Sequence, residues 1–201
     1  DIDSSSYEYR RVQSLKSLLE ECDYFFDLHS ASIAQEPFLI CEEGPATFFS
    51  QLGISKIVTG WNSFSDGVIG GDAENYANNH GAIAATLEAG SHFDPTSIDV
   101  AYHAVLTMLS TLNMISLKRD YKLNGGSSEV FEMYHVVIKE SEDFRYLVEP
   151  KNFLFIPNNT AYAYQGGTEL RVTEDSYFII PVMPENKKLG TEICYLGRKA
   201  A

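Results

Sequence analysis

The sequence predicts an α/β domain followed by an all-β segment, and three observations carry that prediction. Helices with capping signals alternate with short apolar strands as far as Leu123. Asn124-Gly125-Gly126-Ser127-Ser128 then reads as a linker. Beyond it come strands separated by turn residues, with no convincing helix. The division is placed there: an α/β domain over residues 1–123 and a small β barrel or sandwich over 124–201.

Ser5-Ser6-Tyr7-Glu8 has capping-box spacing, and Val12, Leu15, Leu18 and Leu19 follow at helical intervals, so a helix is predicted from about Ser6 to Glu21. Tyr24-Phe25-Phe26-Asp27-Leu28-His29 reads as a buried strand ending on a histidine, and Pro37 to Cys41 as another short strand. A helix starts after Gly44-Pro45, carries Phe48, Phe49 and Leu52, and stops at Gly53. Ile54 to Val58 is a strand, and Gly60 to Gly81, rich in Gly, Asn, Ser and Asp, is expected to be one long loop. Ala82 to Glu88 is an apolar strand that Ala89-Gly90 should break. Thr96-Ser97-Ile98-Asp99 caps a further helix whose apolar face is Ile98, Ala101, Val105, Met108, Leu109 and Leu112. The candidate strands of the second segment are 130–139, 144–148, 153–156, 161–164, 170–172 and 177–183.

Composition narrows the function. With 28 acidic residues against 15 basic, a formal charge of −13 and no Lys/Arg cluster longer than two, neither nucleic acid nor an anionic membrane is an expected partner. The mostly apolar stretch Ala101 to Ile115 is interrupted by His103, Thr107, Ser110, Thr111 and Asn113 and is no membrane span. Cys22, Cys41 and Cys194 are odd in number and widely spaced, which fits reduced thiols and a cytoplasmic location. No Gly-x-Ser-x-Gly elbow and no phosphate loop occurs, so serine-hydrolase and nucleotide-binding readings fall away.

Two strands of the first segment end on groups of complementary chemistry, His29 as a potential metal ligand and Glu88 as a potential base. Each also has a plainer reading, as a packed strand-end histidine and as an acid facing water or a helix N-terminus. His80, His92 and His103 read as loop or helix-surface residues, and Arg145, Arg171 and Arg198 as surface cations.

Asp27-Leu28-His29-Ser30 after an apolar strand, Thr86-Leu87-Glu88-Ala89-Gly90 before a capped helix, and an all-β tail together resemble the succinylglutamate desuccinylase and aspartoacylase family of zinc carboxypeptidase-like hydrolases. The resemblance covers essentially the whole chain. It implies a mixed sheet with flanking helices and a C-terminal β domain that narrows the mouth of the site. It further implies one Zn2+ ion with His29 as its third ligand, and Glu88 as general base and then acid. The substrate it implies is the amide bond of a small N-acyl amino acid. Tyr195 is a loose counterpart of the family's substrate-contacting tyrosine.

The departure is as informative. The family's other two zinc ligands come from a His-x-x-Glu motif, and here the residues three beyond His29, His80, His92, His103 and His135 are Ser32, Ile83, Pro95, Leu106 and Ile138. The arginine and Asn-Arg motifs that follow it in the family are absent too. Since a catalytic zinc takes three protein ligands plus water, the metal site is expected to be incomplete. The chain opens on Asp1-Ile2-Asp3 and is read as lacking the N-terminal third of such an enzyme. It should therefore associate with the missing segment or with another copy of itself. The alternative is a noncatalytic ligand-binding or regulatory relative on the same fold.

Overall fold

The computed structural model describes residues 5–31, 35–64, 72–117 and 127–200. Helix α1 (Tyr7–Glu21) begins where the Ser6 hydroxyl accepts the Tyr9 N–H at 3.1 Å, so the cap falls one residue later than the Ser5 of the expected capping box. Strand β1 (Tyr24–Ala31) runs two residues past His29, and β2 (Phe38–Ile40) follows. Helix α2 (Glu43–Phe49) tightens into a 3-10 turn that Gly53 closes at φ +76°, the left-handed stop the sequence predicted. Strand β3 is Lys56–Thr59.

The long loop expected over Gly60–Gly81 is corrected where it is described. Trp61–Phe64 is a 3-10 turn and Ala73–Asn79 is a helix, α3, capped by the Asp72 carboxylate accepting from the Asn75 N–H at 2.7 Å. Residues 65–71 of that expected loop lie outside the described set. Asparagine disfavours helix interiors because its side chain competes for the backbone. Here the asparagines are engaged otherwise: Asn78 donates to Glu74 at 2.6 Å and accepts the Ala84 N–H of the neighbouring strand at 3.2 Å.

Strand β4 (Ile83–Ser91) passes through Ala89-Gly90 instead of breaking there. Gly90 sits at φ +126°, and a Cβ on it would stand 2.7 Å from Ser97 Oγ, so glycine lets the next helix close onto the strand. That helix, α4 (Thr96–Thr111), buries Ser97, Ala104 and Met108, while Ile98 is 73% exposed. Its inward face is thus rotated from the one expected.

Beyond residue 127 come β5 (Glu129–Ile138), β6 (Arg145–Tyr146), β7 (Phe155–Ile156), β8 (Ala161–Gln165), β9 (Thr168–Arg171), β10 (Ser176–Ile179) and β11 (Glu192–Lys199). The sequence reading had no counterpart for β11. Eight strands form one mixed sheet in the order β1-β4-β2-β3-β5-β11-β10-β7, and β6-β8-β9 form a small second sheet. A self-standing β barrel or sandwich is therefore not what these strands build. β5 pairs in parallel with β3, Lys56 opposite Glu129 through Thr59 opposite Glu132, and so continues the α/β sheet. The residues from Val137 on do have a core of their own, with Phe144, Ile156, Phe178 and Leu196 enclosed between the large sheet and the small one. The linker-like division at residues 123 and 124 lies outside the described residues.

Side chains alternate across the sheet. One face carries Leu39, Ile57, Ala85, Leu87 and Ala89 under α2 and α4. The other carries Phe25 and Ala84 against α3, then Phe38, Val58, Phe131 and Tyr195. Burying each such large side chain contributes roughly 1.5–3 kcal/mol. The second face holds the polar groups described next.

Candidate active site

β1 and β4 are parallel neighbours, and their register sets His29 directly opposite Glu88, near the carboxyl ends of both strands. The two-residue period of β1 places Asp27 on the same face as His29. The imidazole stands between two carboxylates: its Nε2 is 3.2 Å from Asp27 Oδ2 and its Nδ1 is 3.7 Å from Glu88 Oε1. The side chain of His29 is 51% exposed and that of Glu88 13%. β1 is an edge strand among the described residues, which leaves His29 more open than the buried strand the sequence suggested.

Glu88 is shielded because Phe38 of β2 pairs with it across the antiparallel ladder, and Gln35 donates to its Oε2 at 3.2 Å. Burial raises its pKa above the ordinary carboxylate value. His29, the Gln35 hydrogen bond and His92 oppose that rise, and Asp27 adds to it. A half-dry carboxylate of this kind, beside an open imidazole, is equipped to take and return a proton.

Next to the pair, β1 bulges between His29 and Ala31, and Ser30 Oγ shares a hydrogen bond with His92 Nδ1 at 2.7 Å. His92 also donates its backbone N–H to the Ala31 carbonyl at 2.7 Å, so this loop histidine staples the two site-bearing strands. His80 instead ends α3, with its ring stacked on Tyr76 at 4.3 Å. Tyr195 lies buried on β11 on the same face of the sheet as Glu88, its ring 5.0 Å from Trp61. Arg145 stacks on Tyr164, Arg171 pairs with Glu169, and Arg198 pairs with Glu132 and Glu174, all within the β-rich half.

Sequence reasoning missed Gln35 and Asn152, whose side chains meet at 3.4 Å. No periodicity or motif marks either. Asp27 was legible, since strand alternation puts residues two apart on one face.

The donor set does not fit a zinc ion by itself. Three protein ligands must converge on one point, yet the Asp27 and Glu88 carboxylates face opposite nitrogens of the His29 ring, so the three groups do not meet at a common position. No group of three or more His, Cys, Asp or Glu among the described residues is arranged to hold a metal.

No protein-family model matches the sequence. No curated protein matches it either. Solved structures do. Succinylglutamate desuccinylase from Vibrio parahaemolyticus superposes with a TM-score of 0.74 at 13% identity, over 100% of this chain and 63% of that one. The Vibrio cholerae enzyme of the same name gives 0.74 at 16% identity, over 99% and 62%. A succinylglutamate desuccinylase/aspartoacylase from Rhodobacter sphaeroides gives 0.70 at 11%, over 99% and 66%. The class defined is thus a mixed α/β fold built on a large sheet. More particularly, it is the fold of the succinylglutamate desuccinylase/aspartoacylase structures, of whose length this chain spans a little under two thirds.

Proposed function

We propose that this chain belongs to a hydrolase of the desuccinylase/aspartoacylase kind and cleaves the amide bond of a small N-acyl amino acid, with Glu88 moving the proton. The observation that carries the proposal is the cross-strand juxtaposition of His29 and Glu88 on that fold. Glu88 Oε1, facing the imidazole, takes a proton from the attacking water as its oxygen bonds to the amide carbon. It returns that proton to the departing nitrogen as the C–N bond breaks. The carboxylate has to be free of ligation and partly dry for this, and its burial beside Phe38 supports both roles.

One Zn2+ ion per complete site is part of the proposal. His29 is the ligand these residues would contribute, and two more would come from beyond the described residues, so no step is assigned to the metal. Leu28, Phe93, Ile98 and Tyr102 are exposed beside the β1 edge. That side is proposed to associate with a further segment or a second copy. Nucleic acid and membrane are not proposed as partners, given the charge of −13, and no described helix is long and apolar enough to cross a bilayer. A cytoplasmic location is proposed from the three free thiols.

The single imidazole among the site's donors favours one rival reading, a noncatalytic relative that binds the same small ligands. Metal analysis and amide hydrolysis of an N-acyl amino acid panel by the full-length gene product separate the two. Stoichiometric zinc with turnover supports the hydrolase, and ligand binding without turnover supports the rival.

A further inference from the structure

Asn152 and Phe153 lie on a strap of the β-rich half that reaches back over β2. Phe153, at φ +59°, sets its ring edge-on to Phe38 at 5.2 Å and against Phe131 at 5.0 Å. Phe38 is the residue that pairs with Glu88, so the strap comes down beside the carboxylate. Asn152 is 8% exposed, and both ends of its amide are engaged. Its Oδ1 accepts the Ile180 N–H at 2.9 Å, and its Nδ2 donates to Gln35 Oε1 at 3.4 Å. Gln35 then donates from Nε2 to Glu88 Oε2 at 3.2 Å.

The next residue ties the same segment down a second time. Glu36 pairs with Lys56 at 2.6 Å, and the Lys56 ammonium stands 5.3 Å over the Phe153 ring. Ile180, a β-branched residue, sits at φ +46°, where such residues are strained. Backbone held this way persists only when surrounding contacts impose it. Here the Asn152 carbonyl is one of those contacts.

We infer that Asn152 and Gln35 are a relay of positioning residues that fixes which oxygen of Glu88 works. An amide has one donor end and one acceptor end, so the relay has a direction. Because Ile180 N–H occupies Asn152 Oδ1, Asn152 presents its NH2 to Gln35. Gln35 must answer with its carbonyl, which turns its own NH2 onto Glu88 Oε2. Oε1 is left towards His29 as the oxygen that exchanges the proton. The catalytic carboxylate borne by the α/β half is thereby aimed from the β-rich half, across 117 residues of sequence. The inference rests on the proposed role of Glu88, and its test separates the two.

Asn152→Asp keeps an acceptor for the Ile180 N–H but has no donor for Gln35. Gln35 would then turn its NH2 towards position 152 and its carbonyl towards Glu88. In the side-chain amide NMR spectrum of the 201-residue chain, one glutamine NH2 pair, identified by its loss in Gln35→Met, is expected displaced downfield by ionised Glu88. In Asn152→Asp the new carboxylate holds the pair instead, so adding Glu88→Gln, which should shift the pair in the otherwise wild-type chain, should leave it unmoved. A pair that still responds to Glu88→Gln in the Asn152→Asp background overturns the inference. Should that variant fail to fold, Gln35→Met serves in its place, since it removes the relay's middle from an irregular segment and should shift the Asn152 NH2 pair. An unmoved pair is the contrary result. In the hydrolysing gene product, either variant should lower kcat about tenfold to a hundredfold with KM unchanged. If the wild-type protein hydrolyses no N-acyl amino acid, the functional reading fails and the amide spectra alone decide the relay.

Discussion

Glu74 lies 1% exposed on α3, and burial, with Asp72, Glu42 and Asp27 nearby, pushes its pKa to about 8 from an ordinary 4.5, against the pull of the Asn78 hydrogen bond. Between those two values the folded state holds a proton that the unfolded chain releases. Stability should therefore fall as pH rises from about 4.5 to about 8, by up to about 1.4 kcal/mol per pH unit, and level off above. Glu74→Gln keeps an acceptor for Asn78 and should flatten the slope in urea titrations taken across that range. An unchanged slope would assign the titration elsewhere. Gly90 gives a second expectation. At φ +126° with Ser97 Oγ in the way of a Cβ, Gly90→Ala should cost about 1–3 kcal/mol by chemical denaturation. Ser97 cannot yield cheaply, since its hydroxyl donates to the Ser91 carbonyl at 2.8 Å. A neutral substitution would mean the helix can slide away from the strand.

Among elements, those with a local signal were legible in the sequence: α1 from its cap and period, the α2 turn from Gly53, β1, β2 and β3 from apolar runs. α3 was not, because its asparagines look like loop residues until the tertiary partners of Asn78 are known. β11 was not, because it is buried on both faces over Ile193 to Gly197 and so shows no alternation. The site divides in the same way. His29 and Glu88 could be singled out as strand-end groups, but their pairing depends on a register joining residues 59 apart, and Gln35 and Asn152 depend on side-chain contacts alone. Strand position also sets local stability. Among the described residues β1 pairs only with β4, while β5 lies between β3 and β11. Amide hydrogen exchange should find the β1 amides outside the β4 ladder exchanging by local opening, and those of β5 only by more global unfolding. Equal protection of the two strands would show that the β1 edge is covered in solution.

At the scale of the whole molecule, one eight-stranded sheet joins a half that carries His29 and Glu88 to a half that aims Glu88, and the molecule spans a little under two thirds of the solved structures it superposes on. The donor set implies that the 201-residue chain alone holds zinc weakly or not at all. Calorimetric titration should show no tight one-to-one binding, and a tight site lost in His29→Ala would contradict the incomplete donor set. Proton transfer by Glu88 is read from the rate at which the full-length gene product hydrolyses its best N-acyl amino acid, compared with its Glu88→Gln variant. A loss of at least ~10²-fold in kcat in a variant that still folds is the expected result. Full activity in Glu88→Gln would contradict it.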